Sequence, residues 1–345
     1  MRLLVLGGSG FLGYHVVTEA LAADHEVTVF NRSGKPPVSG VRVITGDRRD
    51  DLSGLQGREW DAALDTFTDT EPGAPAVRAT AELLSDAVGT YGYVSGMSVY
   101  APSGPSRPDE SGPVRQAGVE PDTDRLQERS LAKLAGEAAV TELFDGPALF
   151  PRVGIMVGPR STRFTYWPVR IAGAAVGRLP RSILVPGDRH RSVQYSDARD
   201  IAAWTIWMLA LGRGGTFNTV GPGRPESLWS VIEACCTAVG VDPAELDFVD
   251  LPDEDLARTR LTAVDEEERP LWYPEDQIPQ EAIDSTAART AGLRFRPAAM
   301  TAADTLRWAE EAVEPALTDS FLPYEQELIP SRRHNRGSGP TVVRT

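Results

Sequence analysis

The chain opens on an unbroken apolar run, Leu3-Leu4-Val5-Leu6, that stops at glycine and restarts with a different period. Such a run, with no polar alternation, predicts a strand buried on both faces, as in parallel sheets. Phe11, Val16, Val17, Ala20 and Leu21 then recur at helical spacing, and Glu26 to Phe30 supplies a second strand. Further strands are predicted at Val41 to Thr45, Trp60 to Asp65 and Gly92 to Ser95, with a helix from Ala76 to Ala87 before the last of them. Arg125 to Phe144 and Leu228 to Val239 read as patterned helices. Strands alternating with helices predict an α/β fold, a Rossmann-like doubly wound parallel sheet.

The first turn adds chemistry to the pattern. Gly7, Gly10 and Gly13 follow the first strand at three-residue spacing, with Phe11 and Leu12 between the last two. Gly7 permits the sharp exit from the strand, Gly10 lets backbone approach a pyrophosphate, and Gly13 lets the helix pack close to the sheet. Phosphates would then sit on the helix N-terminus. The alternative is a packing turn with no phosphate. Asn31-Arg32 ends the second strand, where NAD-specific sites carry an acidic residue for the ribose 2′-hydroxyl. An arginine there favours a 2′-phosphate, hence NADP(H) over NAD(H), unless the segment is only a surface turn. Asp47, in Gly46-Asp47-Arg48, is positioned to accept a hydrogen bond from adenine, and Arg48 and Asp65 complete the expected cofactor contacts. Asp65 is also a lesser candidate for the chemistry, the alternative being a residue that hydrogen-bonds the cofactor loop.

Composition narrows the classes. The 345 residues, 41% hydrophobic, suffice for a large core in one domain or two interlocked ones. A net charge of −14 argues against nucleic acid, which needs a basic face. No apolar segment is long enough to span a membrane and the first strand is too short for a signal peptide, so the expectation is a cytoplasmic protein. The two cysteines, Cys235 and Cys236, are adjacent and offer neither a disulfide framework nor a metal site, and no metal is expected. The acidic run Asp265 to Glu268 reads as a solvated loop and Ser331 to Thr345 as a disordered tail.

Taken in order, the stretches LVLGGSGFLG, VTVFNR, TGDRRDDL, YVSGMSVYA, FTYWP, PGDRHRSVQYSDARDIAAW, FNTVGPG and LRFRP resemble the extended short-chain dehydrogenase/reductase family, the NAD-dependent epimerases and dehydratases, and within it an actinobacterial reductase-like branch. The resemblance runs from Met1 to about Trp308. It implies a dinucleotide domain of residues 1–152 plus 192–220 and a smaller substrate domain of 153–191 plus 221–322, with Pro-rich joints at the crossings. It also implies a small-molecule substrate, with homodimers common in the family.

The family's catalytic pair is a Tyr and a Lys four residues later, neighbours on one helix face. Here the Lys is Lys133, in RSLAKLAGE, and the tyrosine's place is held by Arg129. A guanidinium does not shuttle the proton a phenol would. The family's Ser or Thr, counted back from Tyr100, falls on Gly96, so two of three usual groups are replaced; Met97-Ser98 stand where dehydratases carry Asp-Glu. Arg152-Val153-Gly154 replaces the usual Arg-Pro-Gly, and the missing nearby Asn argues for a substrate smaller than a nucleotide sugar. The residues left for chemistry are Lys133, Arg129 and Ser98, and Lys133 is an expected cofactor contact as well. Tyr166 and Arg191 are the expected substrate contacts, Arg191 being otherwise a surface arginine beside Arg189; His190 is a lesser candidate. Tyr91, Tyr93, Tyr100 or Tyr166 could instead supply a displaced phenol. These residues leave open an enzyme with altered chemistry (reductase, isomerase or redox-neutral cyclase) on a small, anionic substrate, a non-catalytic NADP(H) sensor, and, against the charge, an RNA binder like the chloroplast stem-loop-binding relatives.

Overall fold

The computed structural model describes residues 1–67, 73–102, 104–119, 125–256, 258–259, 261, 269–273, 282–311, 322–323 and 325. The acidic run at 265–268 and the tail at 331–345 lie outside them. The chain divides into two compact units: Met1–Met156 with Gln194–Arg224 and Ala282–Phe295, and Val157–Val193 with Pro225–Glu281 and Arg296–Thr345.

The first unit is built on a parallel sheet. Its strands are β1 (Arg2–Leu6), β2 (Glu26–Asn31), β3 (Arg42–Thr45), β4 (Trp60–Asp65), β5 (Val88–Tyr93), β6 (Ala148–Val153) and β7 (Gly215–Thr219), in the spatial order β7-β6-β5-β4-β1-β2-β3. Every pairing along that order is parallel, and a two-residue strand, Ser95–Gly96, adds to β6. The run Leu3 to Leu6 is buried throughout because alternate side chains meet helices on opposite faces. Leu3 and Val5 join the core with α1 (Phe11–Ala22) and α4 (Ala198–Ala210), while Leu4 and Leu6 join the core with α2 (Ala74–Leu84) and α3 (Arg125–Leu143). This is the doubly wound α/β fold the alternation of elements predicts.

The fifth strand is the main departure from the sequence reading. It spans Val88–Tyr93 rather than Gly92 to Ser95, and Ser95–Gly96 breaks away to pair with β6. Gly89, Thr90 and Gly92 interrupt the apolar run, so the pattern registers only its last residues. A Cβ on Gly89 would stand 2.9 Å from Asp61 O, a close backbone approach that favours glycine, and one on Gly92 would stand 2.8 Å from Leu64 Cδ1. The segment Ala282–Phe295, with helix α5 (Thr286–Thr290), returns to this first unit. It is fixed there by Gln194, whose amide donates to Ile283 O at 2.9 Å and accepts from Ile283 N–H at 2.8 Å.

The second unit holds a parallel strand pair, Ser182–Pro186 with Asp247–Leu251, and helices Thr162–Ala175, Leu228–Val239 and Ala298–Glu311 packed on one another. At its centre Arg170 donates from Nε to Glu325 at 2.7 Å, and both side chains are completely buried. Glu325 also accepts from Leu184 N–H at 2.8 Å, so this residue is tied into the core at both carboxylate oxygens.

Candidate functional site

The first turn adopts the conformation that its glycines allow. Gly7 and Gly8 have φ of +116° and +84°, values at which a side chain is strained. A Cβ on Gly13 would lie 2.8 Å from Gly8 Cα, so the third glycine is what lets α1 pack against the turn. Gly10, the residue before α1, has φ −72° and no neighbour within 4 Å of where a Cβ would stand. No side chain caps this helix and no acidic residue occupies its first turn. The N-terminal N–H groups of α1 thus keep their capacity for an anion. Phe11 is half-buried and Leu12 buried behind them.

At the end of β2 the side chain of Asn31 is engaged by its own turn. Nδ2 donates to Lys35 O at 2.9 Å and Oδ1 accepts from Gly34 N–H at 2.8 Å. Arg32 beside it is exposed. After β3, Asp47 accepts from Arg49 N–H at 3.0 Å and its main chain bridges to Asp51, forming a closed turn. Arg48 and Asp65 spend their charges on each other: Arg48 donates from Nη1 to Asp65 Oδ1 at 2.6 Å and from Nη2 to Oδ2, both groups buried. Tyr91 Oη–H donates to the same carboxylate at 3.0 Å, and the Arg48 guanidinium lies 4.4 Å over the Phe67 ring. Phe67 N–H donates to Asp65 Oδ1 at 2.8 Å, so this buried cluster braces the chain leaving β4.

Lys133 reaches the same edge of the sheet from α3. Its Nζ donates to Phe67 O at 2.6 Å and Val94 O at 2.7 Å, just beyond the ends of β4 and β5, and stands 4.9 Å from the Tyr93 ring centroid. Burial lowers its pKa to about 7, opposed by Asp65 and assisted by the positive charges of Arg129 and Arg48. The positive charge of Arg129, four residues earlier on the helix, adds to the lowering, and loss of solvent is the larger cause. A neutral amine has two N–H donors and one lone pair, so the two carbonyls satisfy it and leave the lone pair. Arg129 itself is exposed.

Gly96 lies at the end of the short strand beside β6. A Cβ there would be 3.7 Å from Ser98 Oγ and 3.7 Å from Val153 O, which is ordinary contact. The half-buried Ser98 hydroxyl thus stands beside the position from which a side chain at 96 would project. The Ser98 carbonyl accepts from Arg115 Nε–H at 2.9 Å, and Arg115 also donates to Gln127 Oε1 at 2.9 Å. Sequence reasoning missed Arg115, which follows a loop with no periodic signal.

The tyrosines that could replace the missing phenol are all buried, and burial raises the pKa of each hydroxyl. Tyr100 is held in a network: its hydroxyl donates to Asn218 Oδ1 at 2.6 Å and accepts from Arg152 at 3.1 Å, while Arg152 pairs with Glu137 at 2.8 Å. Asn218 donates in turn to Asp284 O at 2.9 Å. Tyr166, in the second unit, is completely buried, its ring 5.1 Å from Trp167. Arg191, in the same unit, donates to both Asp253 oxygens, at 3.2 and 2.6 Å, and to Tyr273 O at 3.0 Å; His190 is exposed. The first unit therefore brings together Lys133, the Arg48–Asp65 pair and the turn after β5, and the second unit contains Tyr166 and Arg191.

A parallel sheet wound on both faces, opening with a glycine turn onto a helix, defines a Rossmann-type α/β fold. Residues 3–70 match the model of the NAD dependent epimerase/dehydratase family. No curated protein matches the chain in sequence. Among solved structures the fold is shared with UDP-N-acetylglucosamine 4-epimerase from Bacillus cereus, at 15% identity and TM-score 0.64 over 92% of this chain and 100% of that one. It is shared likewise with a UDP-glucose-4-epimerase from Stenotrophomonas maltophila, solved with NAD and formylated UDP-arabinopyranose, at 18% identity and TM-score 0.62 over 89% and 97% of the two chains. The Bordetella bronchiseptica enzyme WbmH, solved with NAD+, aligns at 15% identity and TM-score 0.60 over 90% and 98%. Among the described residues, no helix is long and apolar enough to cross a membrane.

Proposed function

We propose that the protein is an atypical extended short-chain dehydrogenase/reductase of the cytoplasm that binds NADP(H) in preference to NAD(H) and acts on a small anionic metabolite. The observation that carries the reading is Lys133: a buried amine held by two carbonyls at the edge of the sheet, with a pKa of about 7, on a helix whose preceding turn presents Arg129. Gly7, Gly10 and Gly13 hold the pyrophosphate with the N–H groups of α1, and the open space beside Gly10 fits that group. Arg32 meets the 2′-phosphate; Asn31, its side chain committed to the turn, presents no carboxylate to repel it. The dinucleotide, when bound, supplies a hydride donor or acceptor.

The chain's own residues supply the rest. Arg129 presents a planar pair of donors to a carboxylate or developing oxyanion. Ser98 Oγ–H donates to the reacting oxygen from beside the position that Gly96 leaves without a side chain. Lys133 Nζ holds and moves the proton, a role for which a pKa near neutrality is matched. The Arg48–Asp65 pair shapes the cofactor loop from beneath. The reaction class is reduction, isomerisation or redox-neutral cyclisation, and a homodimer is the expected assembly.

The test is native mass spectrometry of the purified protein, identification of the released small molecules, and turnover assays on them. The reading expects NADP(H) among the ligands, and a loss of turnover of about 100-fold for Arg129→Ala with NADP(H) affinity retained. Full turnover in both Arg129→Ala and Arg129→Lys would remove Arg129 from the account. A bound dinucleotide with no turnover would instead make the protein a sensor.

A further inference from the structure

A cleft on the first unit plays no part in that reading. It has a volume of about 560 Å3 and is bounded by the segment that returns to this unit, Thr286, Arg289, Thr290, Arg294 and Phe295, and by Pro222 from the chain after β7. None of these residues belongs to the glycine turn, the Arg32 position or the Lys133 edge. A volume in this range accommodates a small organic ligand.

Two of the walls are arginines, in a chain whose net charge is −14. Arg294 is used in part, its Nη1 donating to Arg289 O in α5 at 2.8 Å and to Leu293 O, beyond the helix, at 2.9 Å. Arg289 is different. Its Nη2 donates to Thr286 Oγ1 at 3.1 Å, and its Nε is buried with no hydrogen-bond partner among the described residues. A guanidinium stays charged at any physiological pH and has five N–H donors, and a buried donor without an acceptor is unfavourable. The arrangement is also a built one. A Cβ on Gly223 would fall 2.8 Å from Arg289 Cζ, so the guanidinium lies close against this stretch of backbone. The carboxylate that feels its charge, Asp284, is already committed: it accepts from Thr286 N–H at 2.8 Å and faces Arg107 at 3.5 Å. The cleft therefore combines an under-used guanidinium, a second cation, two threonine hydroxyls and an apolar wall of Pro222 and Phe295.

We infer that this cleft is a binding site for a small organic anion, a phosphate monoester or carboxylate on an apolar or ring body, separate from the dinucleotide turn. Arg289 supplies the charged fork, Arg294 the second charge, Thr286 and Thr290 hydroxyl donors, and Phe295 with Pro222 packs the body of the ligand. The inference stands independently of the dinucleotide reading, since it uses none of the same residues.

The experiment is a calorimetric titration with phenyl phosphate, which carries both the anion and the ring, into the full chain. Wild-type protein binds it, and Arg289→Ala weakens binding by about ten-fold or more, as loss of a charge-assisted contact should. Thr290→Glu, an exposed substitution that adds a negative charge to the cleft wall, weakens it comparably without disturbing the fold. Gly10→Val leaves phenyl phosphate affinity unchanged. The proposal is overturned if wild-type protein does not bind the probe, if folded Arg289→Ala and Thr290→Glu bind as wild type does, or if Gly10→Val alone abolishes binding and places the probe at the dinucleotide turn.

Discussion

Lys133 carries a charge that its surroundings resist, and that conflict is measurable without knowing the substrate. Its folded pKa of about 7 lies below the ordinary value of 10.5. Between those values the unfolded chain binds a proton the folded chain does not, so stability climbs as pH rises through that window. Below about 7 both states are protonated and the burial penalty is present in full. Urea unfolding at pH 7 and near pH ~9.5 should show the wild type gaining stability relative to Lys133→Met as pH rises. Parallel pH dependences would mean that Lys133 titrates normally. A second expectation belongs to Arg32: Arg32→Ala should weaken NADP(H) by about ten-fold while leaving NAD(H) unchanged, read by calorimetry. Equal losses for both would show that the arginine does not meet the 2′-phosphate.

At the level of elements, the glycine turn and α1 depend on a backbone approach that one methyl group disturbs. Gly13→Ala places a Cβ 2.8 Å from Gly8 Cα and 2.9 Å from Gly8 N, where neither neighbour is a flexible side-chain end. It should cost about 1–3 kcal/mol in urea denaturation, since backbone must shift to admit it. A neutral result would show that α1 slides freely on the turn. These elements were the legible part of the chain. β1, the turn, β2, β4 and α3 follow from local periodicity and glycine spacing, because a strand buried on both faces and a patterned helix leave marks within a few residues. The strand after α2 was legible only at its end, since Gly89 and Gly92 serve close packing against β4 and break the apolar run that would announce it. The polar clusters left no such mark. Arg48 with Asp65, Arg152 with Glu137 and Tyr100, and Arg115 with Ser98 are pairs formed across 15 to 52 positions, which no window along the sequence brings together. Asp47, Arg48 and Asp65 were visible as chemistry-bearing residues, but the partners their side chains take here became visible only in the fold.

Over the whole molecule, the two units hold their cores by different means. The first buries apolar strands between two helical layers, whereas the second centres a fully buried ion pair, Arg170 with Glu325, on its helix Thr162–Ala175. Removing one member leaves an uncompensated buried charge. Glu325→Ala should therefore destabilise the protein by about 3–5 kcal/mol, and Arg170→Met with Glu325→Leu together by much less, in thermal or denaturant unfolding. If the single change cost no more than the double, the pair would not be holding Glu325 in this core. The account of function rests on the other unit, and on one claim above the rest: that a nicotinamide dinucleotide lies on the turn between β1 and α1. Gly10 tests that claim cleanly, because its φ of −72° suits any residue and, its chain neighbours aside, nothing among the described residues lies within 4 Å of where a Cβ would stand. Calorimetric titration of NADPH into wild type and Gly10→Val, with circular dichroism to confirm that both are folded, is the most direct measurement. The account predicts binding by the wild type and none by the folded variant; equal affinity in the two would contradict it.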